Sequence, residues 1–253
     1  MKLSVLGCAG SFPGPDSPCS AYLLEAEGFR LLIDFGTGAL SALQRHPVGL
    51  HGVDAILLSH LHCDHILDAC SYVVVRRYDP AGKHRPMPLY GPAGAGERLA
   101  MIYGPEEDVG GSVEDVYDVK TLQPGRFALG PFAVVAERVN HPVETFGVRI
   151  EHGDQSMAYS ADTGRSDALV RLARDVDLFL CEASYLDDKP HPPDLHLTGR
   201  EAGEYASRAN AGKLILTHLV QAWGNPDATL AEAKSAYSGP VELAAPGAEY
   251  EIG

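Results

Sequence analysis

The stretch that decides the fold is residues 54–65, DAILLSHLHCDH, in which a short apolar run leads directly into four ligand-type side chains. Its first five residues have the pattern of a strand that is buried on both faces. If the chain stays extended after that strand, His60 and His62 point the same way, because alternate residues of a strand share a face. Asp64 and His65 follow where the chain turns into a helix. Imidazole and carboxylate groups suit zinc and similar ions, so this crowding predicts a metal site rather than a polar loop with chance histidines.

The regions on either side of this motif alternate between short strands and helices. Strands are predicted over Leu3–Leu6, Ala21–Glu25, Arg30–Ile33, Asp54–Leu58, Phe132–Val139, Thr145–Glu151, Ser156–Tyr159, Leu178–Cys181 and Lys213–Leu216. Helices are predicted over Thr37–Gln44, Ile66–Arg77, Ala93–Tyr103, Asp167–Ala173, Arg200–Ala209 and Asp227–Tyr237. Residues 79–88 are interpreted as a loop and residues 104–115 as a mobile surface segment. No linker divides the sequence, so we expect one domain over residues 1–253, an α/β sandwich of two sheets between two helical layers.

The charge balance argues against a protein that depends on binding nucleic acid. The chain has 20 basic and 34 acidic residues and a formal net charge of −14, whereas phosphate contacts need clustered Lys and Arg. A local basic patch remains open as an alternative. The loop after the motif helix is bracketed by Arg76, Arg77, Lys83, His84 and Arg85. Such a run is more often a solvated face than a phosphate-binding groove.

The five cysteines are odd in number and form no C-x-x-C pair, which favours reduced thiols and a cytoplasmic location. Cys63, inside the motif, is expected to be a small buried thiol, with oxidation sensitivity near the site as the alternative. The run between Lys2 and Cys8 is shorter than the about 7–15 apolar residues of a secretory signal. No apolar run approaches the about 18 residues of a membrane span, so no membrane partner is expected.

Four motifs, taken in their order along the chain, resemble those of the metallo-β-lactamase superfamily. H-x-H-x-D-H at residues 60–65 is followed by NHP at 140–142, by YSADTG at 159–164 and by LTHL at 216–219. Each motif follows a predicted strand, so each lies at a strand end. The resemblance covers essentially the whole chain. It implies a four-layer αββα sandwich of the metallo-β-lactamase type.

The same resemblance implies a dinuclear metal site with seven ligands. One ion would be bound by His60, His62 and His141, the other by Asp64, His65 and His218, and Asp162 would bridge both. Two Zn²⁺ ions are expected, although manganese or iron would suit the same side chains. Two such ions would lower the pKa of a water held between them, and the resulting hydroxide would be the nucleophile of a hydrolase.

Two later segments are similar to ribonuclease Z and its small phosphodiesterase relatives. CEASY at residues 181–185 follows a strand, and HLTGREA at residues 196–202 begins a helix. A phosphodiester leaves as an alkoxide and gains from a proton donor. His196 would supply that proton, with Glu182 holding its other ring nitrogen. The resemblance also implies that Asp64 orients the nucleophilic water, so Asp64, Glu182 and His196 are the candidate catalytic residues.

Each of the two later segments also has a purely structural interpretation. Thr198 and Glu201 have the spacing of a capping box, which a helix needs whether or not a site lies beside it. Glu182 could equally be a solvated acid at the end of a strand. These alternatives leave the catalytic assignment of the pair open on sequence grounds.

The segment between Asp162 and Glu182 is too short for the arm with which ribonuclease Z grips transfer RNA. Together with the negative charge, this disfavours RNA as a partner. It favours a small phosphodiester substrate such as a cyclic nucleotide or a cyclic phosphate sugar. The alternatives are a carbonyl hydrolase of the thioesterase, lactonase or β-lactamase kind, a ribonuclease, and a non-catalytic binding protein. The resemblance also implies a homodimer.

Overall fold

The computed structural model describes residues 1–104, 112–192 and 194–253, and these residues form two mixed sheets of seven strands each. The strands are β1 (Lys2–Gly7), β2 (Ala21–Ala26), β3 (Phe29–Ile33), β4 (Ala55–Leu57), β5 (Met87–Gly91), β6 (Tyr117–Thr121), β7 (Gly125–Leu129), β8 (Phe132–Arg138), β9 (Phe146–His152), β10 (Gln155–Tyr159), β11 (Leu178–Glu182), β12 (Leu214–Thr217), β13 (Val241–Leu243) and β14 (Glu249–Glu251).

Both sheets are antiparallel in one half and parallel in the other. The first sheet has the order β14-β1-β2-β3-β4-β5-β6, and its pairs are antiparallel as far as β3 and parallel from there to β6. The second sheet has the order β7-β8-β9-β10-β11-β12-β13, with the change to parallel pairing at β10. Parallel neighbours need long crossover connections. Helices supply most of these crossovers.

The helices form the two outer layers, so the four-layer αββα sandwich is confirmed. They are α1 (Ala39–Arg45), α2 (Cys63–Arg77), α3 (Ala95–Tyr103), α4 (Ala168–Leu172), α5 (Gly199–Ala209) and α6 (Pro226–Ala236). The first three pack on the first sheet and the last three on the second. A third apolar cluster fills the space between the sheets. This central core forms because alternate side chains of the strands point into it. In β8 these are Phe132, Val134 and Ala136.

The N-terminus of α5 has the predicted capping box. The Thr198 hydroxyl accepts a hydrogen bond from the Glu201 backbone N–H at 3.2 Å, and the Glu201 carboxylate accepts one from the Thr198 N–H at 2.9 Å. These two bonds satisfy backbone donors that a helix start otherwise leaves unpaired. The box therefore serves the helix, while His196 two residues earlier remains available for another role.

Three expectations for the secondary structure differ from the structure. Helix α2 begins at Cys63, three residues earlier than predicted, so Asp64 and His65 lie in its first turn. The loop predicted over residues 79–88 is wrong at its end, because β5 begins at Met87. Strands β5, β6, β7, β13 and β14 were not predicted at all. The partners of β5, β6, β13 and β14 are distant in sequence, and local turn signals outweighed these pairings. Strand β7 instead forms a hairpin with the adjacent β8 and was missed among local glycine and proline signals. Within the predicted mobile segment, residues 105–111 lie outside the described residues.

None of the helices within the described ranges combines the length and the apolar character needed to cross a bilayer. All five cysteines are free thiols. The prediction of a buried Cys63 is wrong, because this residue is exposed at the first position of α2 while its neighbours turn inward.

Candidate metal centre

The seven predicted ligands all follow strand ends or lie in the first turn of the next helix. His60 and His62 follow β4, Asp64 and His65 begin α2, and His141, Asp162 and His218 follow β8, β10 and β12. In open α/β sheets, ligand sites form where the carboxyl ends of strands meet. The two sheets carry these ends to one place, and the structure brings all seven side chains together there.

The first group of ligand-type atoms consists of His60, His62, His141 and Asp162. His60 Nε2 lies 3.1 Å from His62 Nδ1, and His141 Nε2 lies 3.2 Å from that same atom. The separation between His60 Nε2 and Asp162 Oδ2 is 3.6 Å. A tetrahedral ion with bonds of about 2.0 Å has ligands about 3.3 Å apart. These four groups are therefore spaced as the ligands of one zinc-sized ion.

The second group consists of Asp64, His65, His218 and, again, Asp162. His218 Nε2 lies 3.1 Å from Asp64 Oδ2 and 3.2 Å from Asp162 Oδ2. His65 Nε2 lies 3.3 Å from Asp162 Oδ1 and 3.5 Å from Asp64 Oδ2. Asp162 contributes to both groups, so its carboxylate is placed to bridge two ions.

Two buried atoms in this centre, His65 Nε2 and Asp162 Oδ1, have no hydrogen-bond partner among the residues that the structure describes. They face each other at 3.3 Å, both as ligand-type atoms of the second group. A buried polar atom without a partner costs free energy, and a bound cation would remove that cost for both. The donor set of imidazoles and carboxylates also suits divalent zinc. The residues present therefore fit a pair of metal ions.

The protonation states implied by the surroundings also suit cations. Burial lowers the pKa of His60, of His62 and of His141, which favours the neutral imidazole that a metal requires. Burial opposes ionisation of Asp162, but the neighbouring His218 and His65 outweigh it and hold the pKa of this carboxyl well below its usual range. The first group therefore presents neutral nitrogens beside an ionised bridging carboxylate. Burial also opposes protonation of His65, but Asp162 and Asp34 outweigh it and raise the pKa of His65 well above its usual value, so a cation bound there would replace its proton.

Asp34 is a further residue of the site that the sequence motifs do not mark. It orients the ligand histidines His60 and His65 through hydrogen bonds on the side away from the metal positions. Its Oδ2 atom accepts hydrogen bonds from His65 Nδ1 at 2.7 Å, from the Ser59 hydroxyl at 2.8 Å and from the Tyr159 hydroxyl at 2.8 Å. Ser59 Oγ in turn lies 3.0 Å from His60 Nδ1. Such contacts fix which ring nitrogen carries the proton. The Nε2 atoms of both histidines are thereby left for metal.

We expect Asp34→Asn to weaken metal binding by about 10–100-fold, the usual cost of losing a carboxylate that orients a histidine ligand. Competition with a chromophoric chelator measures this affinity. Asp68→Asn is the matched control, because Asp68 Oδ2 accepts the Leu40 N–H at 2.7 Å and takes no part in the centre. Equal affinity in the Asp34 variant and the unaltered protein would show that Asp34 does not tune the ligands.

Glu182 is connected to the ligand-type residue His218 through the Ser184 hydroxyl. His218 Nδ1 lies 2.9 Å from the Ser184 hydroxyl, which donates to Glu182 Oε2 at 2.9 Å. The other oxygen, Oε1, lies 2.8 Å from His196 Nδ1 and accepts the Thr163 backbone N–H at 2.8 Å. Glu182 is fully buried, so the interpretation as a solvated acid is wrong. One carboxylate thus connects His196 with a ligand-type histidine.

Several backbone conformations at the centre are strained. Asp34, Ala161 and His218 have φ values of 56°, 53° and 57°, in the left-handed region that non-glycine residues rarely adopt. Gly36 lies so close to α2 that an added Cβ would stand 1.9 Å from the Asp64 carbonyl oxygen. Such outliers concentrate at functional sites, where the surrounding structure holds them in place.

A cavity of about 510 Å³ opens beside the centre. Its walls include His196, Tyr185, Trp223, Leu195 and Lys189. The Tyr185 ring stands edge-on to His196 at 5.4 Å between centroids. The volume is in the range of small-molecule pockets. Tyr185 and Trp223 therefore give this cavity two aromatic walls.

The basic run after α2 is largely occupied by partners within the protein. Arg77 forms a two-point pair with Asp115 at 2.6 and 2.7 Å. Arg76 donates to the Arg85 carbonyl oxygen at 2.7 Å. Paired guanidinium groups favour the interpretation as a solvated face rather than a phosphate-binding groove.

Comparisons with known proteins agree with this geometry. Residues 29–219 match the family model of the β-lactamase superfamily domain. An uncharacterized protein of Mycobacterium tuberculosis (strain ATCC 25618 / H37Rv) is 44% identical over 259 residues, which cover 100% of this chain and 92% of the relative. A ribonuclease Z of Mycobacterium bovis (strain BCG / Pasteur 1173P2) is 30% identical over 270 residues, covering 96% of this chain and 95% of the relative.

A solved structure shows the same arrangement of sheets and helices. The crystal structure of the metallo-β-lactamase fold protein YhfI from Bacillus subtilis matches with a TM-score of 0.86 at 30% identity, covering 100% of this chain and 98% of that one. The chain therefore belongs to the β-lactamase superfamily, as a metallo-hydrolase of the metallo-β-lactamase fold that is related to ribonuclease Z.

Proposed function

We propose that this metallo-hydrolase is a phosphodiesterase that cleaves small phosphodiesters of the cyclic nucleotide or cyclic phosphate type. The observation that carries the proposal is the buried Glu182–His196 pair beside the metal centre, with Glu182 Oε1 2.8 Å from His196 Nδ1. The His196 ring lies 5.2 Å from the ring of His218 and 5.5 Å from that of His141. It therefore stands next to both groups of ligand-type atoms, at the wall of the cavity.

Two divalent ions, when bound at this centre, would lower the pKa of a bound water and offset negative charge on a phosphoryl oxygen. The carboxylate of Asp64 is fixed by the Ser11 backbone N–H, which donates to Oδ2 at 2.8 Å. In this proposal Asp64 binds metal and also orients the nucleophilic water by accepting one of its protons. The hydrogen bond from Ser11, outside the centre, holds that oxygen in place.

His196 acts in this proposal as the general acid. The alkoxide that leaves a phosphodiester is a strong base, and a positioned proton donor lowers the barrier to its departure. Glu182 binds Nδ1, so the proton is given from the other ring nitrogen, Nε2. Burial lowers the pKa of His196, but the charge and hydrogen bond of Glu182 outweigh it and raise the pKa to about 9. The donor is therefore protonated at neutral pH.

The dimensions of the site support a small substrate. A cavity of about 510 Å³ suits a molecule of nucleotide size. Only α4 and β11 lie between Asp162 and Glu182, so this segment holds no arm for gripping a large RNA. The formal charge of −14 also opposes broad contact with a polyanion. Ribonuclease activity remains a second candidate because of the 30% identity to ribonuclease Z.

The test is hydrolysis of bis(p-nitrophenyl) phosphate, of 2′,3′- and 3′,5′-cyclic nucleotides and of a structured RNA, beside a thioester, a lactone and a β-lactam. The protein carries a measured amount of metal, and Asp64→Ala is the control for the metal centre. Turnover of the small phosphodiesters alone, lost in Asp64→Ala, is the expected result. Turnover of a carbonyl substrate without phosphodiester cleavage would overturn the proposal and leave the fold and metal centre standing.

The pH profile gives a separate test of the Glu182–His196 pair. Because the pKa of His196 is raised to about 9, its proton is present below that pH, and kcat should fall as the pH rises through it. Glu182→Gln removes the carboxylate that raises this pKa. We expect the alkaline fall in kcat to begin about one to three pH units lower in the variant.

The matched control for this profile is Glu137→Gln, which removes a surface partner of Arg171 and belongs to no ligand-type group among the described residues. Its alkaline limb should coincide with that of the unaltered protein. A limb in Glu182→Gln that does not move would mean that His196 is not the group whose deprotonation stops the reaction.

A further inference from the structure

A second cluster of ligand-type side chains lies outside the metal centre. It consists of His51, Asp79 and His84, whose ligand atoms lie within 4.8 Å of one another. Asp79 Oδ2 is 2.5 Å from His84 Nε2 and 3.5 Å from His51 Nδ1. The two imidazole rings are stacked with an interplanar angle of 12° and centroids 5.4 Å apart. Two imidazoles and one carboxylate therefore lie together, with Asp79 Oδ2 and His84 Nε2 joined by a hydrogen bond that a bound ion would replace.

The chain holds these three residues in place by contacts that do not depend on an ion. Asp79 Oδ1 accepts the Ala81 backbone N–H at 2.8 Å, which fixes the turn after α2 and leaves Oδ2 facing the histidines. The Tyr72 hydroxyl donates to the Leu50 carbonyl oxygen and anchors the residue before His51. The side chain of Asp79 is only 7% exposed, while that of His51 is 52% exposed. The cluster is thus anchored on the inside and open to solvent on the outside.

Two guanidinium groups at the end of α2 are directed to partners other than the cluster. The Arg77 guanidinium pairs with Asp115. Arg76 donates to the Arg85 carbonyl oxygen, which also holds the far side of the loop. The cluster shares no residue with the seven groups of the metal centre and lies on different connections of the chain, between α1 and β4 and between α2 and β5.

We propose that His51, Asp79 and His84 form a third binding site for a divalent cation of the zinc class, separate from the dinuclear centre. Two imidazole nitrogens and one carboxylate oxygen are a ligand set that zinc accepts, with water completing the coordination. The ion links the loop after α1 to the loop after α2. Its role is to stabilise the connections that lead from α1 into β4 and from α2 into β5, since an ion that binds only the folded state shifts unfolding to higher temperature.

The experiment uses full-length protein whose dinuclear centre is already loaded, to which Zn²⁺ is added during equilibrium dialysis and thermal unfolding. We expect one further equivalent of zinc per chain and a rise in Tm of about 5 °C at saturation. Both effects should be lost in His84→Ala and in Asp79→Asn. Phosphodiester turnover should be unchanged in the two variants, which also shows that they are folded.

The matched control is His152→Ala, which removes a histidine that pairs with Glu27 at 3.2 Å and belongs to no ligand group within the described residues. It should keep the additional equivalent and the rise in Tm. No binding beyond the dinuclear centre would overturn the proposal. So would an additional equivalent that survives His84→Ala and Asp79→Asn, because that zinc would be bound elsewhere on the surface.

Discussion

Asp162→Ala is expected to abolish binding of both metal ions at the dinuclear centre, and with it hydrolysis. The carboxylate contributes to both groups of ligand-type atoms, through contacts of 3.2 to 3.6 Å with three histidines. Loss of an orienting carboxylate alone typically costs about 10–100-fold in metal affinity. Loss of a ligand that serves two ions should weaken each position by well over about 100-fold.

Metal content after dialysis, together with turnover of a phosphodiester, measures this effect. Asp177→Ala is the matched control, since Asp177 lies just before β11 of the same sheet and accepts the Ser156 N–H at 2.7 Å, and it belongs to neither group of ligand-type atoms. It should lose stability but keep its metal. If Asp162→Ala kept full occupancy at both positions, the assignment of Asp162 as the bridging ligand would be wrong.

His196→Ala is expected to keep both metal ions and to reduce kcat by roughly 10²–10⁴ on a substrate with an alkoxide leaving group. Glu182, His196 and His218 also form a group of ligand-type atoms, so metal content decides between a donor and a ligand. A proton donor matters most where the leaving group is strongly basic. A p-nitrophenolate departs without a proton, so the loss on bis(p-nitrophenyl) phosphate should be much smaller.

The measurement is therefore a pair of kcat ratios, on a cyclic nucleotide and on the activated ester, with metal content determined on the same samples. His191→Ala is the matched control, because His191 lines the same cavity and stacks on Tyr185 at 4.9 Å but lies outside the centre. If His196→Ala lowered kcat equally on the two substrates, or lowered the metal content, His196 would not be the general acid.

The ligand residues could be predicted because they are marked locally. His60, His62, Asp64 and His65 crowd into six positions after a buried strand, which no structural need explains. Asp34 follows the strand β3 in the same way, and its backbone has a φ of 56°. It stands alone in the sequence, however, so nothing marked it as the partner of residues that follow far along the chain. Contacts of this kind become visible only when the two sheets are assembled.

The environment of Glu182 could not be predicted either, because it also depends on residues far away in the sequence. The sequence placed it at a strand end, where a solvated acid and a buried partner of His196 are equally consistent with the residues. Its complete burial and its bonds to Thr163 and Ser184 settle which environment it has. Strands β5 and β6 were missed for a related reason, because their pairing with distant strands overrides local glycine and proline signals.

The most direct test of the account is a metal titration of metal-free protein while phosphodiester and carbonyl hydrolysis are both followed. The His84→Ala variant is used so that only the dinuclear centre takes up zinc. Phosphodiester turnover should be absent at the start, rise with added zinc and reach a plateau at two equivalents per chain, with no carbonyl turnover at any point. Phosphodiester hydrolysis without metal, a plateau at one equivalent, or hydrolysis of the carbonyl substrates alone would contradict the account.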